Sequence, residues 1–285
     1  MSSPPRYCYR HPDRETGLSC SECGRPICYE CMTPAAVGLR CPDHSGKPQG
    51  VRRVATAAAR ATGARGSALP NAVTLALIGV NVLVYAAELA AGGSVNGTDN
   101  TIYVHGVLVN DAVYADGTPA GVAHGEWWRL ITSAFLHYGP LHLGMNMLSL
   151  YFAGSILEQA VGRWRYVLLY LVSGLAGAAG ALYWTPHGFT VGASGAIFGV
   201  LGALLVLERR GNIATGGQVA GLIVLNLVIT LAYRSQISVG GHVGGLVGGL
   251  LLMLAFVRFL RSWELSLAAA ALVAAAAVIV AYASI

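Results

Sequence analysis

With 285 residues, of which 55% are hydrophobic and only 11% charged, and a mean hydropathy of +0.58, the chain is too apolar for an ordinary soluble globular protein. It reads as an all-α polytopic membrane protein, and its 37 glycines suit that class, because helices in lipid associate through close contact of small residues. The formal charge of +5 does not make a nucleic-acid face, since the basic residues lie between and beside apolar segments, where they act as a topology signal.

All six cysteines fall between Cys8 and Cys41. The residues ahead of them are polar and proline-containing, without the short apolar core of a signal peptide. Residues 1–46 hold four pairs of identical internal spacing: Cys8 and His11, Cys20 and Cys23, Cys28 and Cys31, Cys41 and His44. A two-residue gap lets both side chains of a pair reach one ion from a tight knuckle, and four pairs make two tetrahedral sites, so two structural zinc ions are expected. Disulfides would need an oxidising compartment and would leave the two histidines unexplained. Alternating pairs give Cys8, His11, Cys28 and Cys31 one ion and Cys20, Cys23, Cys41 and His44 the other; adjacent pairs give one all-cysteine site and one mixed site. The alternating arrangement is preferred because each site then has three cysteines and one histidine, and because the stretch resembles a small B-box-like, cross-braced zinc finger. So few apolar residues are present that the metals would supply most of the folding free energy. With no coordination position left open, the module is expected to contact a cytoplasmic protein partner or the membrane rather than to catalyse.

From 47 to 70 the composition shifts to Ala, Gly, Ser and Thr with Lys47, Arg52, Arg53, Arg60 and Arg65 and no acid. This reads as a basic flexible linker that favours an anionic lipid face. The membrane domain, 71–285, then presents seven apolar stretches of near-spanning length, about 71–91, 141–157, 165–184, 192–208, 217–233, 240–260 and 265–284. If the N-terminus is inside, the inner loops carry Arg163 and Arg165, then Arg209 and Arg210, then Arg258 and Arg261, while Arg129 and Arg234 lie outside, which satisfies the positive-inside rule. A multi-pass cell-membrane protein with a cytoplasmic N-terminus and an external C-terminus is therefore expected, and its zinc module would sit in a reducing compartment.

The first external loop, about 92–140, is long enough to have structure of its own. It carries Trp127, Trp128, Arg129 and the acids Asp99, Asp111, Asp116 and Glu126, a mixture suited to an element lying partly in the headgroups. Asn96-Gly97-Thr98 matches a glycosylation acceptor, a short pattern with a high chance rate.

Four polar groups enter the apolar spans from the external side. His142 and Asn146 on the second span are four apart and share a helix face. Ser194 opens the fourth span and His242 the sixth. Single polar residues of this kind serve as interhelical packing, but four at matching depth are costly in lipid and mark function. Ser194 needs a neighbouring base to become a nucleophile, and His242 can take its proton. Gly195 and Gly199 on one span, and Gly241, Gly245 and Gly249 on the other, are a turn apart and would let the two backbones touch. His142, Asn146 and the backbone N–H of Ser194 can donate to a developing oxyanion. No carboxylate lies within the sixth span, so a Ser/His dyad is expected rather than a triad.

These residues carry a resemblance. Gly192-Ala193-Ser194-Gly195 is similar to the G-x-S-G motif of the rhomboid family of intramembrane serine proteases, His142 to Asn146 to its H-x-x-x-N, Trp128-Arg129 to its W-R in the first loop, and Gly241 to Gly249 to its catalytic sixth span. The resemblance covers about 70–260. It implies a six-helix rhomboid core, to which a seventh C-terminal transmembrane helix is added here, proteolysis of transmembrane protein substrates in the bilayer, and no metal in the chemistry. Phe198 falls where the family often has an aromatic against the histidine, and Glu158 where it has an acid near the inner end of the second span, here expected to be structural. The expected function is hydrolysis of peptide bonds in or near transmembrane segments, the alternative being a non-catalytic rhomboid-like protein that binds membrane clients. A transporter is disfavoured because the polar groups cluster on one side.

Overall fold

The computed structural model of the chain describes residues 5–34, 38–45, 71–95, 98–213, 217–259 and 262–285. The linker with Lys47, Arg52, Arg53, Arg60 and Arg65, the acceptor at Asn96-Gly97 and the basic residue Arg261 lie outside the described residues. The chain divides into two units, Met1–Ala68 and Leu69–Ile285.

In the first unit, β1 (Tyr7–Cys8) pairs antiparallel with β2 (His11–Glu15), β3 (Thr33–Pro34) pairs with β4 (Leu39–Arg40), and α1 (Pro42–Ser45) follows. The buried cluster among the described residues is Ile27 with Cys8, Cys20, Cys28, Cys31 and Cys41. One isoleucine and five thiols are a small apolar core, so the order of the unit rests on what the cysteines bind.

The second unit is a helical membrane domain. Its long helices are α2 (Ala72–Ala90), then, beyond a structured loop containing α3 (Thr101–Gly106) and α4 (Arg129–Thr132), a rod made of α5 (Pro140–Ser149), a π-helical turn at Leu150–Gly154 and α6 (Ser155–Val161). It continues with α7 (Arg163–Trp184), α8 (Ser194–Arg209), α9 (Gln218–Ala232), α10 (Val239–Arg258) and α11 (Trp263–Ala283). Among the described residues four helices, α2, α7, α10 and α11, are long and apolar enough to cross a membrane, and α9 is a shorter apolar helix. The chain is thus a multi-pass membrane protein with rod-like helices at all seven expected positions. α10 packs against both α7 and α8, α7 against α8, and α11 adds to the α7 side.

Two buried charges hold the frame. Glu158 in α6 is 2% exposed. It accepts hydrogen bonds from the N–H groups of Val73 and Thr74 at 3.0 and 2.8 Å and from the Thr74 hydroxyl at 2.8 Å. These are first-turn donors of α2 with no partner inside their own helix, so the expected structural role is a cap that ties the second rod to the first. In the loop between α2 and α5, Arg129, 1% exposed, donates to the carbonyls of Val104 and Val107 at 2.9 and 2.7 Å, to Glu126 at 2.7 Å and to the Tyr114 hydroxyl at 2.8 Å. Burial raises the Glu126 carboxyl, but hydrogen bonds from Tyr114, the Gly121 N–H and Arg129 outweigh it and hold the group below the usual carboxylate range. The loop, which also forms the hairpin β5 (Ala112–Val113) and β6 (Pro119–Ala120), is wired around one guanidinium.

Candidate active site

Ser194 is the first residue of α8, and His242 lies in the first turn of α10, whose start is capped by the Ser238 hydroxyl accepting from the Gly241 N–H at 3.1 Å. The Ser194 Oγ and the His242 Nε2 are 2.8 Å apart, a hydrogen bond. Glycine makes the approach possible. A side-chain carbon on Gly245 would fall on the backbone of Gly195, and one on Gly249 on that of Gly199. Phe198, one turn along α8 from the serine, stacks on the imidazole with centroids 4.1 Å apart and planes 19° from parallel. The other ring nitrogen, Nδ1, is 2.7 Å from Thr230 Oγ1 on α9. Sequence reasoning did not single out this threonine, because a hydroxyl in an apolar helix is usually satisfied by its own helix's carbonyl.

α5 brings His142 and Asn146 to the same place. The backbone N–H of Tyr138 donates to His142 Nδ1 at 3.4 Å; a nitrogen that accepts carries no proton, so the ring hydrogen is on Nε2 and that atom is a donor. Gly192, with φ of +122°, lets this ring come close: a side-chain carbon there would lie 2.8 Å from His142 Nε2 and 3.6 Å from Asn146 Nδ2. Asn146 is 6% exposed, and its Nδ2 has no hydrogen-bond partner among the described residues. The first-turn N–H groups of α8 also lack intrahelical partners and carry the positive end of the helix dipole. His137, at the loop edge, is buried, bonds the Phe135 carbonyl at 3.3 Å and packs 5.1 Å from the His142 ring. Burial, helped by His142, pushes it down to about 4, so it is a neutral packing residue.

The four groups face a cavity of about 810 Å³, whose apolar wall includes Met145 and Phe152 on the second rod and Leu222 and Ile229 on α9. A hydroxyl bonded to an imidazole, with two side-chain donors and a helix start beside it, is the set of parts that acyl transfer uses.

The first unit holds two further clusters, Cys8, His11, Cys28 and Cys31, and Cys20, Cys23, Cys41 and His44, whose ligand atoms lie within 4.8 Å of one another. This is the alternating arrangement. His11 Nδ1 is 3.8, 3.4 and 3.2 Å from the sulfurs of Cys8, Cys28 and Cys31. In the second cluster His44 Nδ1 is 3.9 and 3.1 Å from those of Cys20 and Cys41, and the sulfurs of Cys23 and Cys41 are 3.8 Å apart. A tetrahedral ion with metal–sulfur bonds near 2.3 Å and metal–nitrogen bonds near 2.0 Å separates its ligands by about 3.5 to 3.8 Å. Both clusters are able to hold a metal ion.

A family model described as the Rhomboid domain matches residues 124–259, which include all four cavity residues. Over 158 residues the chain is 35% identical to "Rhomboid protease GluP" of Bacillus subtilis, covering 54% of this chain and 29% of that protein. It is 40% identical over 119 residues to "Putative rhomboid protease YdcA" of the same organism, covering 41% and 59%. It is 42% identical over 87 residues to "Rhomboid-type serine protease 2" of Emericella nidulans, covering 30% and 17%. The chain thus spans 29% and 59% of the lengths of the first two relatives. Residues 124–259 are a rhomboid domain, and the chain is similar to proteins named as rhomboid proteases.

Proposed function

We propose that this chain is an intramembrane serine protease that cuts membrane-anchored proteins in or near their transmembrane segments, with Ser194 as nucleophile and His242 as base. The observation that carries the reading is the 2.8 Å contact between Ser194 Oγ and His242 Nε2 at the edge of an apolar cavity. As Oγ attacks the substrate carbonyl carbon, its proton passes to Nε2. The carbonyl oxygen becomes an oxyanion beside His142 Nε2–H, Asn146 Nδ2–H and the Ser194 N–H. Collapse breaks the C–N bond, His242 returns the proton to the leaving amine, and water repeats the sequence in reverse on the acyl-enzyme.

The depth of the site supports an intramembrane reaction. α8 has 16 residues and spans about 24 Å, short of a hydrocarbon core of about 30 Å. With Arg209 and Arg210 at the inner face, Ser194 lies below the outer boundary. The wall between the second rod and α9 gives an apolar segment a route to it from the bilayer. Basic residues at the inner turns support a cytoplasmic N-terminus and an external C-terminus. On this reading the N-terminal unit faces a reducing compartment, holds two structural zinc ions and serves as a module presented to a cytoplasmic partner or to the membrane surface.

The test uses purified full-length chain in liposomes with a transmembrane reporter substrate and a fluorophosphonate probe. Wild type is expected to cleave the reporter and to be labelled at Ser194, while Ser194→Ala and His242→Ala retain the fold and lose cleavage. Cleavage retained by Ser194→Ala would sink the proposal, and reporter binding by an unlabelled wild type would point to a client-binding protein instead.

A further inference from the structure

The base has a second partner that the serine does not account for. Thr230, in the last turn of α9, is 1% exposed. Its Oγ1 lies 2.7 Å from His242 Nδ1 and also 2.7 Å from the backbone oxygen of Asn226, one turn earlier in the same helix. A carbonyl oxygen only accepts, so the single hydroxyl proton goes to Asn226. Toward His242 the hydroxyl then offers lone pairs alone, and Nδ1 must carry the ring proton. An imidazole protonated at Nδ1 is bare at Nε2. Nε2 is the atom 2.8 Å from the Ser194 hydroxyl.

We propose that Thr230 is the positioning residue for His242, fixing through Nδ1–H···Oγ1 the tautomer and ring orientation in which Nε2 accepts the Ser194 proton. The proposal rests on the dyad reading and deepens it. A threonine bonded to the carbonyl four residues back is common in membrane helices, but that habit accounts only for the donated proton and not for a lone pair 2.7 Å from a buried imidazole nitrogen. Phe198 fixes the plane of the ring, yet a half-turn about the Cβ–Cγ bond, which keeps that plane, would present a carbon to Oγ1 in place of Nδ1; the hydroxyl selects between the two. When His242 gains the serine proton, Nδ1–H keeps the same acceptor, so the imidazolium needs no rearrangement. Neither ring nitrogen is hydrogen-bonded to a carboxylate among the described residues. The place that an acid holds in a triad is taken here by a neutral hydroxyl supplied from a third helix.

The decisive variants are Thr230→Val, which keeps the shape and removes the acceptor, and Thr230→Ser, which restores it. In liposomes with the transmembrane reporter, Thr230→Val is expected to lose about tenfold in kcat, the worth of one buried hydrogen bond, with KM changed by less than about twofold. Thr230→Ser should stay within about threefold of wild type in kcat, since it keeps the same hydrogen bond. Nitrogen-15 NMR of histidine-labelled wild type should show His242 as the Nδ1–H tautomer, and Thr230→Val should shift it toward a mixture. The proposal is overturned if Thr230→Val keeps wild-type kcat, if its loss lies in KM alone, or if wild-type His242 is the Nε2–H tautomer. Should Thr230→Val fail to fold, the wild-type spectrum still decides. A wild type that neither cleaves nor labels at Ser194 would defeat the protease reading instead, and the tautomer would then judge the Thr230 contact by itself.

Discussion

His142 and Asn146 share a helix face and line the cavity beside Ser194, but their surroundings differ, and the difference lets the proposed oxyanion role be told from packing. Asn146 Nδ2 has no partner among the described residues, so its removal takes away a donor that the resting protein does not use. His142 stacks on Tyr138 with centroids 6.0 Å apart and packs on His137 at 5.1 Å, so its loss also opens the loop edge. Asn146→Ala is expected to lower kcat by up to about a hundredfold to a thousandfold, the range for one oxyanion donor, with the melting temperature unchanged. His142→Ala should lower both. Kinetics and thermal melts in the same detergent check this; a raised KM at unchanged kcat for Asn146→Ala would mean the amide grips substrate and does not stabilise an oxyanion. These residues were legible in the sequence because four-residue spacing on a helix is local. Thr230 was not, since its meaning depends on where α9 stands relative to a histidine 12 residues on, across a turn. Gly192 was visible as part of a motif, but its role in admitting the His142 ring rests on a positive φ that no residue pattern states.

At the scale of elements, the contact between α8 and α10 is set by backbone against backbone. A carbon on Gly245 would meet the Gly195 carbonyl, whereas one on Gly221 in α9 would meet nothing within 4 Å. Both residues lie inside helices, so propensity favours alanine equally at each, and any difference between the variants reports packing. Gly245→Ala is expected to cost about 1–3 kcal/mol of stability, as overpacking does. It should also lower fluorophosphonate labelling at Ser194 by at least about tenfold, because the displaced α10 carries His242 away from a 2.8 Å contact. Gly221→Ala, with propensity in its favour and open space around it, should be between neutral and about 1 kcal/mol more stable than wild type. Equal behaviour of the two would show that the glycine face does not set the distance. The seven helical positions could be read from apolar length alone. The π-turn at Leu150–Gly154 could not, because a change in hydrogen-bond step leaves no mark on composition; Gly154 there faces the Tyr166 hydroxyl, which leaves no room for a side chain.

For the whole molecule, the two units owe their order to different physics. In the membrane unit the buried core is aliphatic and aromatic, and runs through α7, α8 and α10. In the first unit the core is one isoleucine and five cysteines. Spacing marked the four pairs as candidate ligands but left two pairings open, since alternating and adjacent pairs need the same knuckles; the fold sets Cys28 and Cys31 beside His11. Structural zinc supplies about 10–16 kcal/mol to folding in small sites, more than so few buried apolar groups can replace. Metal analysis of the full chain is therefore expected to find about two zinc ions per molecule, one for each Cys3His cluster. Stripping them with a strong chelator should expose residues 5–45 to protease and make all six cysteines reactive to a thiol probe, with zinc restoring protection. Ser194 labelling should persist through the same treatment, because none of the groups around His242 and Ser194 is a ligand. Loss of labelling in step with the metal would mean that the N-terminal unit governs the site, and protection that survives complete metal removal would mean that the cysteines hold their unit by another bond.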